Sequence, residues 1–315
     1  KLPQPLNMSS GTAIIDLNGY TLSVDSNASR IVDLSSGAKL SIQNGILEGS
    51  SDGASQWAVC VNEAHLTMNR VTLSNVETGV RVEDHLSASG NSSTVYLSDC
   101  TIQAANYGVR VYGNQVSDAT RTKVVIRSST VAGNGYAGIL YNGSYGGIDT
   151  IVSDTTVTGL YTAIYHPNKD STLTIEESNL QGGTGIVVKG GTVTVKDSIV
   201  YGTMRSIGDP VYQVSGWSDT GDGIYLEANY ATAEDPVQVM VLNSKVTSQY
   251  AYAVRLFDSL AEHASLRVQS GTYTSFEQES TVSFDVVEYM KLYADSDQIV
   301  ATDEKTCVVN SEYAS

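Results

Sequence analysis

Short runs in which apolar and polar residues alternate fill most of the chain, rich in Val, Ile and Thr and punctuated by Gly, Asn, Asp and Ser. Alternation with a period of two marks a strand with one face on a core. Helical periodicity is nearly absent before the last forty or so residues. The pattern therefore predicts an all-β chain of many short strands.

One tetrapeptide recurs. It reads Ala58-Val-Cys-Val61, Gly79-Val-Arg-Val82, Gly108-Val-Arg-Val111, Gly138-Ile-Leu-Tyr141 and Ala163-Ile-Tyr-His166, then Gly185-Ile-Val-Val188, Gly223-Ile-Tyr-Leu226 and Ala253-Val-Arg-Leu256. The first column holds only Gly or Ala and the second only Val or Ile; the fourth is apolar except at His166. Successive strand side chains face opposite ways, so the second and fourth columns point inward and stack coil on coil. The Gly/Ala column marks a corner where a larger Cβ would clash or φ turns positive.

A second ladder runs in step with it. Ile42-x-x-Gly45-x-Leu47 is followed by Met68-x-x-Val71-x-Leu73, Leu97-x-x-Cys100-x-Ile102, Ile126-x-x-Ser129-x-Val131 and Val152-x-x-Thr155-x-Val157. Ile175-x-x-Ser178-x-Leu180, Val195-x-x-Ser198-x-Val200, Val241-x-x-Ser244-x-Val246 and Val268-x-x-Gly271-x-Tyr273 continue it. Just before the small residue stand Asn44, Asp99, Ser128, Asp154, Glu177, Asp197, Asn243 and Ser270, mostly short polar residues suited to a bend between strands. The two ladders predict a right-handed parallel β-helix of about ten coils with three short strands each, and inserted loops at the corners. Residues 13–24 read as the opening coil, 1–275 as the solenoid and 276–315 as an irregular C-terminal cap, with Cys307-Val-Val309 a last strand.

Composition narrows the partners. Eighteen Lys and Arg stand against 34 Asp and Glu, a formal net charge of −16. Phosphate backbones need clustered cations, so nucleic acid is excluded as an expected partner. The same charge favours a soluble monomer. No apolar run reaches the ~18 residues that a membrane span requires, so no membrane insertion is expected. Three cysteines, Cys60, Cys100 and Cys307, form neither a disulfide framework nor a metal spacing. Tyr outnumbers Phe by 19 to 3, and the chain starts at Lys1 with no signal peptide, as a mature or trimmed fragment would. An extracellular or cell-surface setting is expected.

The stretch 11–22, Gly-Thr-Ala-Ile-Ile-Asp-Leu-Asn-Gly-Tyr-Thr-Leu, resembles the first coil of right-handed β-helix proteins of the pectate-lyase-like superfamily. Ala163-Ile-Tyr-His-Pro167 through Leu173-Thr-Ile175, with Gly185 through Val195, resembles large surface proteins of intestinal bacteria. The likeness implies fold and habitat. Such families include lyases, hydrolases, epimerases, adhesins and surface rods, so fold alone assigns no chemistry.

In pectinase-like glycosidases the resemblance implies an Asp-Gly-Ile, then an Asp-Asp pair one coil on. Asp222-Gly-Ile224 matches the first, while Tyr250-Ala-Tyr252 stands where the pair belongs, and no Gly-His-Gly follows. A glycoside hydrolase needs two carboxylates flanking the scissile bond, for which Asp219, Asp222 and Glu227 are the candidates. Lyase chemistry would draw on Arg81 or Arg110 with a Ca²⁺ cage of carboxylates; no spacing indicates such a cage, and neither metal nor cofactor is expected. His85, beside Asp84 on an inserted loop, is the histidine placed for acid–base work, whereas His166 reads as a hydrogen-bonded core residue.

Arg81, Glu83, Asp84 and Arg110 are expected to cluster on one outer face. They would act as an ion-pair ladder or as a subsite for a sugar acid or sulfate, which a guanidinium grips with two donors. Arg81, Glu83 and Arg110 with Tyr112, Tyr165, Trp217, Tyr225 and Arg255 form the expected substrate-binding set, because aromatic faces beside polar groups grip sugar rings. The expected function is therefore an extracellular β-helix with a glycan-binding or adhesive lateral face, its partner a polysaccharide or a host or bacterial surface glycan. The alternative is a polysaccharide lyase or glycoside hydrolase acting on the same face.

Overall fold

The computed structural model describes residues 1–25, 27–50, 56–86, 90–114, 120–142, 147–204, 220–227, 232, 234–256, 263–275, 299–301 and 306–309. The chain divides into two compact units, Lys1–Gly159 and Leu160–Ser315. Both are parallel β-solenoid, together about eight turns, and neither holds an α-helix among the described residues. That is fewer than the ten or so coils expected. Parallel pairing continues to Ala264–Thr274, against which Thr306–Val309 runs antiparallel.

In the first unit a full coil is Thr122–Arg127, Thr130–Gly133 and Ala137–Tyr141. The inward columns stack like on like: Val59 lies against Val80, Val80 against Val109, and Val82 against Val111. All are fully buried. The register also extends the tetrapeptide column backward, since Val32 and Leu34 pair with Val59 and Val61, and Leu6 and Met8 pair with Val32 and Leu34. These two rungs escape the sequence pattern because Pro5 and Ile31 stand where later rungs have Gly or Ala.

The Gly/Ala column has a packing cause. A Cβ on Gly108 would lie 2.4 Å from Val131 Cγ1 and 2.6 Å from the Gly138 carbonyl oxygen. One on Gly79 would meet Ile102 and the Gly108 carbonyl equally closely. Neither glycine has a positive φ, so crowding by the next coil, and not backbone strain, keeps the column small.

Positive φ falls instead on the second ladder. Asn44, Asp99, Ser128, Asp154, Glu177, Asp197, Asn243 and Ser270 all lie between φ 43° and 56°, as does Arg70. Short polar side chains tolerate this left-handed conformation by bonding locally; Asp154 accepts from Ser128 Oγ at 2.9 Å and Asp197 accepts from Asn243 Nδ2 at 2.6 Å.

The small residue that follows closes the corner. In the second unit Ser178 N–H donates to Ser198 Oγ (3.0 Å) and Ser198 N–H to Ser244 Oγ (3.2 Å). Each hydroxyl donates in turn to the carbonyl two residues back: Ser178 to Glu176, Ser198 to Lys196 and Ser244 to Leu242, at 2.6–2.7 Å. In the first unit Ser129 and Thr155 do the same. Buried amides that a strand ladder would leave orphaned at a bend are thereby satisfied.

The outer side of the tetrapeptide strands is less open than expected. All five residues of Ala137–Tyr141, Thr162–His166 and Thr184–Val188 are buried. Strands covered on both faces read as continuous apolar runs, and Gly185-Ile-Val-Val188 is one. Leu140, Tyr165, Val187 and Tyr225 therefore face packing.

Candidate functional site

In the first unit, parallel pairing of Trp57–Asn62, His65–Glu83 and Thr101–Tyr112 sets three outward columns side by side. Trp57 lies against Thr78 and Thr78 against Tyr107; Cys60 lies against Arg81 and Arg81 against Arg110; Glu83 lies against Tyr112. Trp57, Arg81, Tyr107 and Arg110 are half-buried here, while Cys60, Thr78, Glu83 and Tyr112 are buried beneath them, and the side chains interleave as cations and rings.

Arg30 approaches the Trp57 ring at 5.4 Å, and Arg81 lies over the same ring at 3.9 Å and over Tyr112 at 5.2 Å. Arg110 is flanked by Tyr112 at 5.0 Å and Tyr107 at 4.8 Å, and Tyr107 stacks on Tyr136 with centroids 5.2 Å apart. The result is one continuous alternation of guanidinium and ring across successive coils. Each such contact is worth about 0.5–1 kcal/mol where partly exposed.

Asp33 pairs with Arg30 at one end of this wall, and Glu83 serves its middle. Glu83 accepts from Arg81 Nε, and its other oxygen lies 3.2 Å from His85 Nδ1. The His85 ring packs on Tyr112 with centroids 4.5 Å apart. Burial, then Arg81, hold the His85 pKa below its ordinary value, so the imidazole is neutral at neutral pH. Burial also lowers the pKa of Arg81, though not enough to discharge a guanidinium.

Asp84 corrects the expectation that it joins this face. Asp84 opens the short 3₁₀ turn Asp84–Leu86 with the same parity as the inward Val80 and Val82, and it is fully buried. There it accepts from Glu63 N (2.9 Å), Ser93 N (2.7 Å), Ser93 Oγ (2.6 Å) and Thr122 Oγ1 (2.6 Å). It pins the turn that carries Glu83 and His85.

The second unit holds a different cluster. Asp222 precedes the Gly223 corner and is 0% exposed. Its Oδ1 accepts from Tyr252 N at 2.9 Å, and Oδ2 lies 3.1 Å from Arg255 Nε without hydrogen-bond alignment. Burial pushes its pKa up to about 6 against the opposing pull of Arg255. Arg255 lies over Tyr225 at 5.1 Å and Tyr252 at 5.6 Å. Glu227 is held by the buried Lys189 at 3.1 Å.

The expected site residues thus fall into two sets. Arg81, Glu83, His85, Arg110 and Tyr112 come together in the first unit; Asp222, Tyr225 and Arg255 come together in the second, where Tyr165 belongs to the covered outer column. Asp219 and Trp217 lie outside the described residues. His166 is a core residue whose Nδ1 lies 3.0 Å from the Gly190 carbonyl oxygen, and burial drops its pKa to about 4. The three thiols are free and buried, with Cys60 pushed up to about 11 by desolvation. Among the described residues no group of three or more His, Cys, Asp and Glu is placed to hold a metal ion, and no helix is long and apolar enough to cross a membrane.

Trp57 and Arg30 escaped sequence reasoning. The signal lay in the column just before Gly/Ala, which reads Trp57, Thr78, Tyr107, Asp222 and Tyr252 at five of its rungs and supplies a member to both clusters. Fold and clusters define a parallel β-solenoid with a ring-and-guanidinium wall. No family model matches the chain, and no curated protein matches it.

Proposed function

We propose that the chain is an extracellular β-helix protein whose first unit binds glycans on the wall built by Trp57, Arg81, Tyr107, Arg110, Tyr112 and Tyr136. One observation carries the reading: the alternation of guanidinium and ring from Arg30 to Tyr136. Rings offer apolar faces for the C–H faces of sugars, and guanidinium edges beside them donate to hydroxyls and acids. The likeness of residues 11–22 and 163–195 to β-helix surface proteins supports a right-handed coil and a cell-surface setting. The acidic, Ser-, Thr- and Asn-rich exterior suits both. The natural partner is a polysaccharide or a surface glycan.

A glycan array probed with the whole chain, followed by calorimetry on its hits, tests this. Trp57→Ala is expected to weaken binding about tenfold or more, in line with the loss of an aromatic anchor. Undiminished binding by that variant, or an empty array, defeats the proposal.

A second reading, a polysaccharide lyase or glycoside hydrolase, draws on Asp222, whose raised pKa suits a general acid. Its complete burial and the engagement of Glu227 by Lys189 count against a solvent-facing carboxylate pair. Release of reducing or unsaturated sugar from an array hit, abolished in Asp222→Asn, would establish the enzyme.

A further inference from the structure

We propose that Arg110 is an anion subsite, and that the glycans this wall selects carry a carboxylate or sulfate ester next to an unsubstituted sugar face. The inference rests on the glycan-binding reading above and adds the chemical class of the ligand.

Other half-buried arginines have a carboxylate of their own. Arg30 pairs with Asp33 at 3.1 Å, Arg81 with Glu83, and Arg255 with Asp222 at 3.1 Å. Arg110 has no ion pair or hydrogen bond among the described residues, and its Nε is closed off from solvent with no acceptor. Its neighbours in register are Arg81 on one side and Leu140 on the other, a like charge and an apolar group.

Two ring faces cushion the guanidinium, yet rings replace only part of the lost hydration. The chain carries 34 Asp and Glu, and none of the described ones pairs with Arg110. Glu83 does not fill the gap, because its two oxygens already face Arg81 and His85. With His85 neutral, the wall's inner group of Arg81, Arg110 and Glu83 sums to one positive charge inside a protein of net charge −16.

A planar guanidinium has five donors in a fork that a carboxylate or sulfate meets two at a time. A ligand anion would complete the alternation by supplying what the fold withholds. Tyr107, half-buried on its flank, would take the adjoining ring face, with the buried Tyr112 backing the guanidinium.

Three probes of matched length separate the possibilities: an oligogalacturonate, its carboxyl-reduced neutral counterpart, and a sulfated galactan oligosaccharide. Calorimetry on the native chain should show at least one charged probe binding about tenfold or more tighter than the neutral one, with the advantage eroding at high salt. Arg110→Met keeps much of the apolar stem and should drop the charged probe to the neutral level, while Arg110→Lys should restore part of the difference. Retained binding of the neutral probe by Arg110→Met distinguishes lost recognition from a failed fold; if that variant does not fold, the native comparison and Arg110→Lys carry the test.

Preference for the carboxylated or for the sulfated probe identifies the source of the charge. Equal binding of charged and neutral probes by the native chain, or a charge preference that survives Arg110→Met, overturns the anion subsite and leaves the glycan wall intact. Failure of all three probes overturns the wall itself.

Discussion

Replacing Asp84 by Ala should open the corner that positions Glu83 and His85. The carboxylate takes four donors at 2.6–2.9 Å in a fully buried site. Two are hydroxyls, Ser93 and Thr122, which can rotate to other acceptors. The other two are the backbone amides of Glu63 and Ser93, which cannot. A buried donor stripped of its acceptor costs about 1–3 kcal/mol, so the pair puts the loss at about 4 kcal/mol before any cavity cost. At ~1.4 kcal/mol per factor of ten, that is roughly a thousandfold rise in local opening.

Native-state hydrogen exchange reads this at the amides in question, which avoids assuming that the chain unfolds as one unit. Exchange at Glu63 and Ser93 should accelerate by about three orders of magnitude. Asp84→Asn should fall between, because one carboxamide oxygen still serves one amide while the NH₂ opposes the other. Acceleration below tenfold in Asp84→Ala would refute the claim that this carboxylate holds the turn. Glycan affinity should fall with it, since Glu83 and His85 ride on that turn.

Two further outcomes follow from the packing and the titration. Ser198→Ala leaves the Ser178 amide without its 3.0 Å acceptor and should cost about 1–2 kcal/mol in urea unfolding of the second unit; Ser198→Thr should be nearly neutral, since Thr155 makes the same bonds in its own corner. Asp222 has a folded pKa of about 6 against 3.8 when unfolded, so the folded state holds the extra proton and its contribution is fully present below 3.8 and lost as pH rises through 6. The native chain should therefore lose roughly 2–3 kcal/mol between pH 4 and pH 8 at this site, and Asp222→Asn should be more stable than native at pH 8 and nearly match it at pH 4 in thermal melts.

The inward columns were readable because a stacked solenoid repeats its buried positions, and like-on-like packing leaves a visible column of Val and Ile. The left-handed corners were readable for a related reason: nine rungs need φ near +50°, and eight of them hold the bend residues, Asn44 to Ser270, that the sequence singles out. Arg70 occupies the ninth and belongs to no short polar class, so composition alone passes over it.

The proposed wall was half legible. Arg81 and Arg110 stand out as repeated outward residues, but Trp57 sits one place before the recognised repeat, and no pattern marks a residue before a corner as outward. Asp84 misled because its charge and its place beside Glu83 suggest an outward position, whereas the alternation of Val80 and Val82 carried one step further puts it inward. Tyr165 and Tyr225 misled because alternation assumes one covered face, and their strands are covered on both.

The chain has two tryptophans, Trp57 and Trp217, so a Trp217→Phe variant carries a single emission reporter in the proposed wall. Titrating that variant with the tightest-binding glycan, while calorimetry follows binding in the same samples, tests the central claim directly. A saturable change in Trp57 emission with the calorimetric midpoint is expected, its midpoint moving about tenfold higher in Arg110→Met for a charged ligand. Calorimetric binding that leaves Trp57 emission unchanged would place the glycan elsewhere on the molecule and contradict the account.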